Sequence, residues 1–187
     1  MKRNLTSGTR LLAQSLLMLV LLGLSGQSAC SRFYLASAST GSHMNAEKGG
    51  TPTAVRTYFY QLTHLPPGLP SAACNQLVGK TPSALVDALS PGAPVIEKSI
   101  FPGFEESSEK TGLAGELVKE TKWVVVVPAF FECRDDVPRW AAFRMNRSSG
   151  TEELAFQLQG YSIRLHPSMK SRACTNMDRQ NCVRISR

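Results

Sequence analysis

The chain has 187 residues, enough for one compact domain and too few for two of ordinary size. Its 42% apolar and 19% charged residues are the composition of a globular protein that buries a core, which excludes a disordered chain. The formal charge of +7 sits at the two ends: Lys2, Arg3 and Arg10 lie in residues 1–29, and Lys170, Arg172, Arg179, Arg184 and Arg187 face only Asp178 in the tail from Pro167. The stretch between is neutral overall; a basic tail offers charge to nucleic acid or anionic lipid, but the expected reading is a solvated terminus, with no nucleic-acid partner.

Residues 1–29 have the form of an export signal. The three cations precede an apolar run from Leu11 to Leu24, interrupted only by Gln14, Ser15 and Gly23, and small residues follow. That run is short for a bilayer span. Two processing chemistries fit its end. One cuts after Ser28, with Gly26 and Ser28 as the small residues. The other uses Ser28-Ala29-Cys30 as a lipobox, with Gln27 where an aliphatic residue is preferred, and leaves a covalent lipid on Cys30.

Five cysteines in an exported chain leave one unpaired. If Cys30 carries lipid, then Cys74, Cys133, Cys174 and Cys182 form an even set suited to an oxidising compartment. Three pairings are possible. The favoured one closes the short polar loop TNMDRQN with Cys174–Cys182, leaving Cys74–Cys133. No CxxC or Cys/His cluster has metal-ligand spacing, so no metal is expected.

Phe33-Tyr34-Leu35 begins a short strand, and residues 39–53, rich in Gly, Ser and Thr, form an exposed loop. VRTYFYQL (55–62) is dense in β-branched and aromatic residues and predicts a strand. Ser71 to Leu89 permits a small helical insertion, with Thr81 as N-cap and Pro82 as first helical residue. VIEKSIF (95–101) is a further strand, and 105–119 is either a short helix or a polar hairpin. TKWVVVVPAFFEC (121–133) suits a strand buried on both faces, with Pro128 calling for an edge or a bulge. RWAAFRM returns from a turn at 134–138. The last hairpin alternates Leu154, Phe156 and Leu158 with polar or small residues, turns at Gln159-Gly160, and alternates again through Tyr161, Ile163 and Leu165. Such a series of short strands predicts an all-β sandwich.

No constellation points to catalysis. His43 lies in the Gly/Ser loop, His64 in a Pro-rich turn and His166 at a strand end. No GxSxG elbow supports a serine nucleophile. Gly79-Lys80-Thr81 resembles the end of a phosphate loop, but Cys74 holds the place of its first glycine. Glu105-Glu106 and Asp135-Asp136 are loop pairs without a shielded pocket. Tyr58, Phe59, Tyr60, Trp123, Phe130, Phe131, Trp140 and Phe143 fall on predicted strands, where core packing is the default. The chain is therefore expected not to be an enzyme and to need no cofactor beyond the lipid.

The order of these elements resembles the outer-membrane lipoproteins of bacterial type VI secretion systems, the TssJ (SciN/VasD) family. VRTYFYQL is similar to that family's Val-Arg-x-Tyr-Gln-Leu strand with two extra residues. Val126 to Ala141 is similar to its Val-Val-Ala-x-Phe-Arg-Asp…Trp-Arg segment, with Cys133 and Ala141 where arginines are usual. The resemblance implies a transthyretin-like β-sandwich over residues 30–166, followed by a basic, Cys-containing extension over 167–187. It implies palmitate-type acylation at Cys30 and a location on the periplasmic face of the outer membrane. It also implies a partner, the periplasmic domain of the inner-membrane TssM component. The family's contact loop maps to Ser39–Thr53, with Asn45, Ala46, Glu47, Lys48, Gly49 and Gly50 as the expected contacts. The alternative is a periplasmic immunity or inhibitor lipoprotein that blocks a toxin or hydrolase.

Overall fold

The computed structural model describes residues 32–41, 44–45, 50–66, 90–102, 105–106, 113–130, 137–146 and 150–186. All lie in one compact unit, Ser31–Arg187. The export signal, Cys30, the proposed helical insertion and Cys74 and Cys133 lie outside the described residues.

Among the described residues, ten strands form two sheets. The first contains β1 (Arg32–Thr40), β4 (Glu105–Glu106), β5 (Ala114–Leu117), β8 (Thr151–Gln159) and β9 (Ser162–Leu165). β1 runs parallel to β8 and antiparallel to β4 and β5 on its other edge, while β9 pairs with β8. The second sheet has the order β10-β7-β6-β2-β3, all antiparallel, with β2 (Val55–Leu62), β3 (Val95–Ile100), β6 (Trp123–Pro128), β7 (Ala141–Arg144) and β10 (Ala173–Thr175). The protein is an all-β sandwich.

Period-two alternation builds the core between the sheets. β1 turns Tyr34, Ala36 and Ala38 inward and β8 turns Leu154, Phe156 and Leu158 inward, against Val55, Phe59, Val124, Val126 and Phe143 of the second sheet. Tyr34 stacks on Phe59 with ring centroids 5.5 Å apart, and Phe156 touches both Phe59 and Phe143 at an angle. Gly115 lies opposite Tyr34 in the β1–β5 pair, and a Cβ there would come within 2.5 Å of the tyrosine ring. The glycine thus makes room for the largest side chain of this core.

The middle of the second sheet, around β6 and β7, is buried on both faces. Tyr60, Leu62, Trp123, Val125, Val127 and Trp140 form a separate cluster on its outer face, completed by Cys174, Cys182 and Ile185. This explains why β6 is uniformly apolar: each face of the strand meets a core. Pro128 needs neither an edge nor a bulge. It ends a central strand, paired with Thr57, and the next amide, Ala129 N–H, donates to Arg56 across β2. The proline nitrogen therefore faces the β7 side, where the ladder has already stopped at Val126–Ala141.

The C-terminal segment is not a solvated tail. A 3-10 turn (Pro167–Met169) leads into β10, which pairs with β7, and helix α1 (Arg179–Ser186) folds back with Cys182 and Ile185 buried. The expected Cys174–Cys182 disulfide is formed, with Cα atoms 5.2 Å apart, and fastens α1 to β10. The last hairpin turns at Gly160-Tyr161, one residue later than expected, with Gly160 at φ 55°. That left-handed conformation is one that glycine adopts without strain.

Candidate functional site

β1 fixes the geometry of everything expected to function. Its first residue, Arg32, is two positions after Cys30, and its last, Thr40, opens into the 41–54 loop. Nine extended residues at about 3.3 Å each place these two ends roughly 27 Å apart. The start of β1 and the loop that follows it thus lie at opposite poles of the sandwich.

At the loop pole, the stem is clamped from several sides. Gly41 N–H donates to Leu158 O (2.8 Å) and Asn45 N–H to Gly160 O (2.9 Å), tying the loop to the β8–β9 turn. Met44 is fully buried in the core. Asn45 adopts φ 49°, a left-handed conformation that asparagine tolerates better than most residues. Its Nδ2 donates to Thr53 Oγ1 (3.0 Å), and that hydroxyl donates back to Asn45 O (2.9 Å). Asn45 is only 5% exposed, so its side chain closes the base of the loop instead of facing solvent. Gly50 and Thr51 are exposed. Ala46, Glu47, Lys48 and Gly49 lie outside the described residues.

At the opposite pole, the first residues of β1 are held by a buried charge cluster. Glu152, 3% exposed, accepts from Arg172 Nη1 at 2.8 Å and has Arg32 Nη2 3.8 Å away. Arg32 also donates to Thr121 O (3.3 Å) and Asn146 O (2.8 Å), and Arg172 donates to Glu153 O. Arg32 therefore links the carboxylate to backbone carbonyls of neighbouring loops, and Arg172 links it to the backbone of β8. Buried Gln61 joins the two sheets beside them: its Nε2 donates to Glu116 O (2.7 Å), and its Oε1 accepts from Val118 N–H (2.7 Å) and Thr121 Oγ1 (2.9 Å). Arg144 Nη1 donates to Ile185 O (2.6 Å), placing a cation at the C-terminal end of α1, where the helix dipole favours one.

None of Arg32, Gln61, Glu152 or Arg172 stood out as functional in the sequence. A signal was present: Glu152 shares the inward parity of Leu154, Phe156 and Leu158, and Gln61 that of Val55 and Phe59. A charged or amide residue at a core position needs partners, and here it has them.

The chemistry-bearing residues do not converge. His166 is exposed, pairs through Nδ1 with Ser168 Oγ (2.8 Å), and caps the 3-10 turn. It lines a groove of about 570 Å³ with Ser37, Ser39, Gln157 and Arg164, whose described lining contains no carboxylate. His64 contacts the neighbouring Thr63 Oγ1 at 3.1 Å. Burial pushes the Tyr34 hydroxyl far above its ordinary value, which keeps it neutral at any physiological pH. Among the described residues no group of three His, Cys, Asp or Glu side chains is placed to hold a metal, and no helix is long and apolar enough to cross a membrane.

No family model matches the chain, and no curated protein matches it. Solved structures do. Serratia marcescens Lip, a membrane-bound component of the type VI secretion system, aligns with a TM-score of 0.57 at 13% identity, over 74% of this chain and 99% of Lip. The type VI lipoprotein TssJ1 from Pseudomonas aeruginosa aligns at 0.54 and 16% identity, over 73% of this chain and 95% of TssJ1. A chain of a type VI membrane complex aligns at 0.52 and 16% identity, over 73% and 98%. The chain has the fold of the TssJ lipoproteins.

Proposed function

We propose that the chain is the outer-membrane lipoprotein of a type VI secretion membrane complex. It is anchored by acylated Cys30 and presents the 41–54 loop to the periplasmic domain of an inner-membrane TssM component. The observation that carries this reading is β1 in a TssJ-type fold: a strand roughly 27 Å long runs from Arg32, two positions after the proposed anchor residue in sequence, to the loop that follows Thr40. Anchoring requires more than one acyl chain, because a single one holds a protein only marginally. A diacylglyceryl group plus an N-acyl group on Cys30 supplies three.

The clamped stem suits the loop to recognition. Met44, Asn45 and Thr53 fix where the loop leaves the sandwich, so residues 46–52 pay little ordering cost at their ends when a partner binds. Asn45 positions the loop; Glu47 and Lys48 are the charged groups left to make contacts.

Labelling cells with radioactive palmitate, with and without a lipoprotein signal peptidase inhibitor, tests the anchor. The wild-type chain should incorporate label and fractionate with outer membranes, and Cys30→Ser should do neither while remaining folded. Unchanged membrane association of Cys30→Ser would contradict lipidation. Recovery of a toxin or hydrolase instead of an inner-membrane secretion component from envelope extracts would favour the inhibitor alternative.

A further inference from the structure

We infer that the C-terminal segment completes a second protein-docking site, a cationic groove at the free edge of β9 that takes an acidic, extended polypeptide segment. The site shares no residue with the 41–54 loop and does not depend on Cys30.

The groove, of about 450 Å³, opens where the edge strands of the two sheets meet, with β9 on one side and β10 and α1 on the other. Arg164 and Leu165 line it from β9, Lys170 from the end of the 3-10 turn, and Thr175, Asp178 and Arg184 from the C-terminal segment. Its charge is unbalanced. Arg164, Lys170 and Arg179 are exposed, and their side chains make no hydrogen bond or ion pair among the described residues. Arg184 donates through Nε and Nη2 to Asn181 Oδ1 (3.1 and 2.6 Å), a neutral acceptor that leaves its charge uncompensated. Arg172 is spent on buried Glu152 and is not counted. Asp178 is the one described carboxylate that lines the groove, and its Oδ1 caps α1 by accepting from Asn181 N–H (3.1 Å). Glu153, also exposed, lies four residues before Gln157, the register partner of Arg164, roughly 13 Å away along β8. Even with both acids counted, the cations exceed the carboxylates by four to two.

Backbone geometry points to a chain segment as the occupant. His166 N–H donates to Ala155 O, which sets the alternation of the β8–β9 ladder: residues 162, 164 and 166 face β8, and Ile163 and Leu165 turn their amides and carbonyls to the free edge. Ile163 N–H is taken by Pro138 O (2.9 Å), so the chain's own backbone pairs with this edge as far as Pro138. Leu165 N–H and C=O, one step further on, have no backbone partner among the described residues and offer an incoming strand its hydrogen bonds. Apolar side chains lie among the cations. Val183, 52% exposed, lines an adjoining depression with Arg179 and Arg184, and Met177, 51% exposed, precedes Asp178. This mixture favours a segment that alternates acidic and apolar residues over a bare polyanion. A recessed groove with edge hydrogen-bonding groups suits such a strand, whereas a bilayer needs a projecting face.

Fluorescence anisotropy of the purified Cys30→Ser chain tests this with a labelled Glu-Val-Glu-Val-Glu-Val peptide. Binding is expected at low salt and should fall as screening increases, and a peptide with glutamines in place of the glutamates should bind far less. Arg164→Gln with Lys170→Gln should weaken binding about fivefold, the effect of two exposed ion pairs, with an unchanged melting curve. N-methylating alternate amides of the peptide keeps its charge but removes its edge hydrogen bonds, and one of the two alternating sets should weaken binding by a similar factor. Absence of binding, equal binding of the glutamine peptide, full binding by the double glutamine variant, or full binding of both methylated peptides would overturn the inference. So would binding that appears only in Asp135→Asn/Asp136→Asn, which would show the groove filled by the chain's own acids, or binding of phosphatidylglycerol vesicles in place of the peptide. None of these readouts involves Cys30 or the 41–54 loop, so failure here leaves palmitate labelling and capture of the inner-membrane partner standing.

Discussion

Removing Glu152 should destabilise the sandwich more than any other substitution of an ionisable residue at the Cys30 pole. The carboxylate is 3% exposed and faces two guanidinium groups, one at 2.8 Å and one at 3.8 Å. Deleting one member of a buried ionic cluster typically costs about 3–5 kcal/mol, because the remaining charges stay desolvated. Arg32 and Arg172 are partly exposed and keep their bonds to Thr121, Asn146 and Glu153 carbonyls, so the low end, about 3 kcal/mol, applies to Glu152→Ala. Glu152→Gln preserves volume and an acceptor for Arg172 but removes the charge, and should cost about half as much. For a domain of this size, about 3 kcal/mol corresponds to a fall in Tm of roughly 6–12 °C. Urea unfolding of the purified mature chain, followed by tryptophan fluorescence, measures both variants. Salt at 1 M should change the Glu152→Ala difference little, since the pair is buried. A loss below about 0.5 kcal/mol for Glu152→Ala would show that the cluster does not hold the start of β1 and would refute the reasoning.

Gly115→Ala should cost about 1–3 kcal/mol in the same assay, because the new methyl meets the Tyr34 ring at 2.5 Å in a packed core; an unchanged midpoint would mean β5 is free to move away. Tyr34→Phe should be neutral or stabilising by about 1 kcal/mol, since the buried hydroxyl has no hydrogen-bond partner among the described residues, and a clear loss of stability would reveal a partner for it. Reducing the Cys174–Cys182 bridge, or substituting both cysteines by serine, should cost about 2.5 kcal/mol from the short loop it closes and should release α1 first, seen as faster amide exchange over residues 179–186. Uniform exchange across the chain in that variant would mean α1 does not depend on the bridge.

Much of the sandwich was visible as alternation. VRTYFYQL, the valine run and the last hairpin became β2, β6 and the β8–β9 pair because their apolar residues recur with period two or fill both faces. β1 was legible only at Phe33 to Leu35. Its second half, Ala36-Ser37-Ala38-Ser39-Thr40, has weak strand preference and is extended because it pairs in parallel along β8, a contact more than a hundred residues away in sequence. Small inward residues at Ala36 and Ala38 are what the Tyr34, Phe59 and Phe156 rings leave room for.

The tail misled because its cations were conspicuous while its buried face was short. Cys182 and Ile185, three apart, are the whole inward stripe of α1, too little to register as amphipathic. At the candidate sites, the Cys174–Cys182 pairing followed from spacing alone. The role of Asn45 did not: polar loop residues suggest surface contact, and only the backbone conformation and the Thr53 pairing show that this one closes the stem. Charge at a core parity, as at Glu152, was the overlooked signal for the anchor pole.

The central claim is that the loop opposite the anchor holds the inner-membrane partner. Its most direct measurement is recovery of the TssM periplasmic domain from envelope extracts with the lipidated chain, comparing wild type with Glu47→Ala/Lys48→Ala. The account predicts capture by the wild type, at least tenfold less by the double variant, and equal melting temperatures for both. Equal capture by the two chains, or capture of a different class of protein by the wild type, would contradict it.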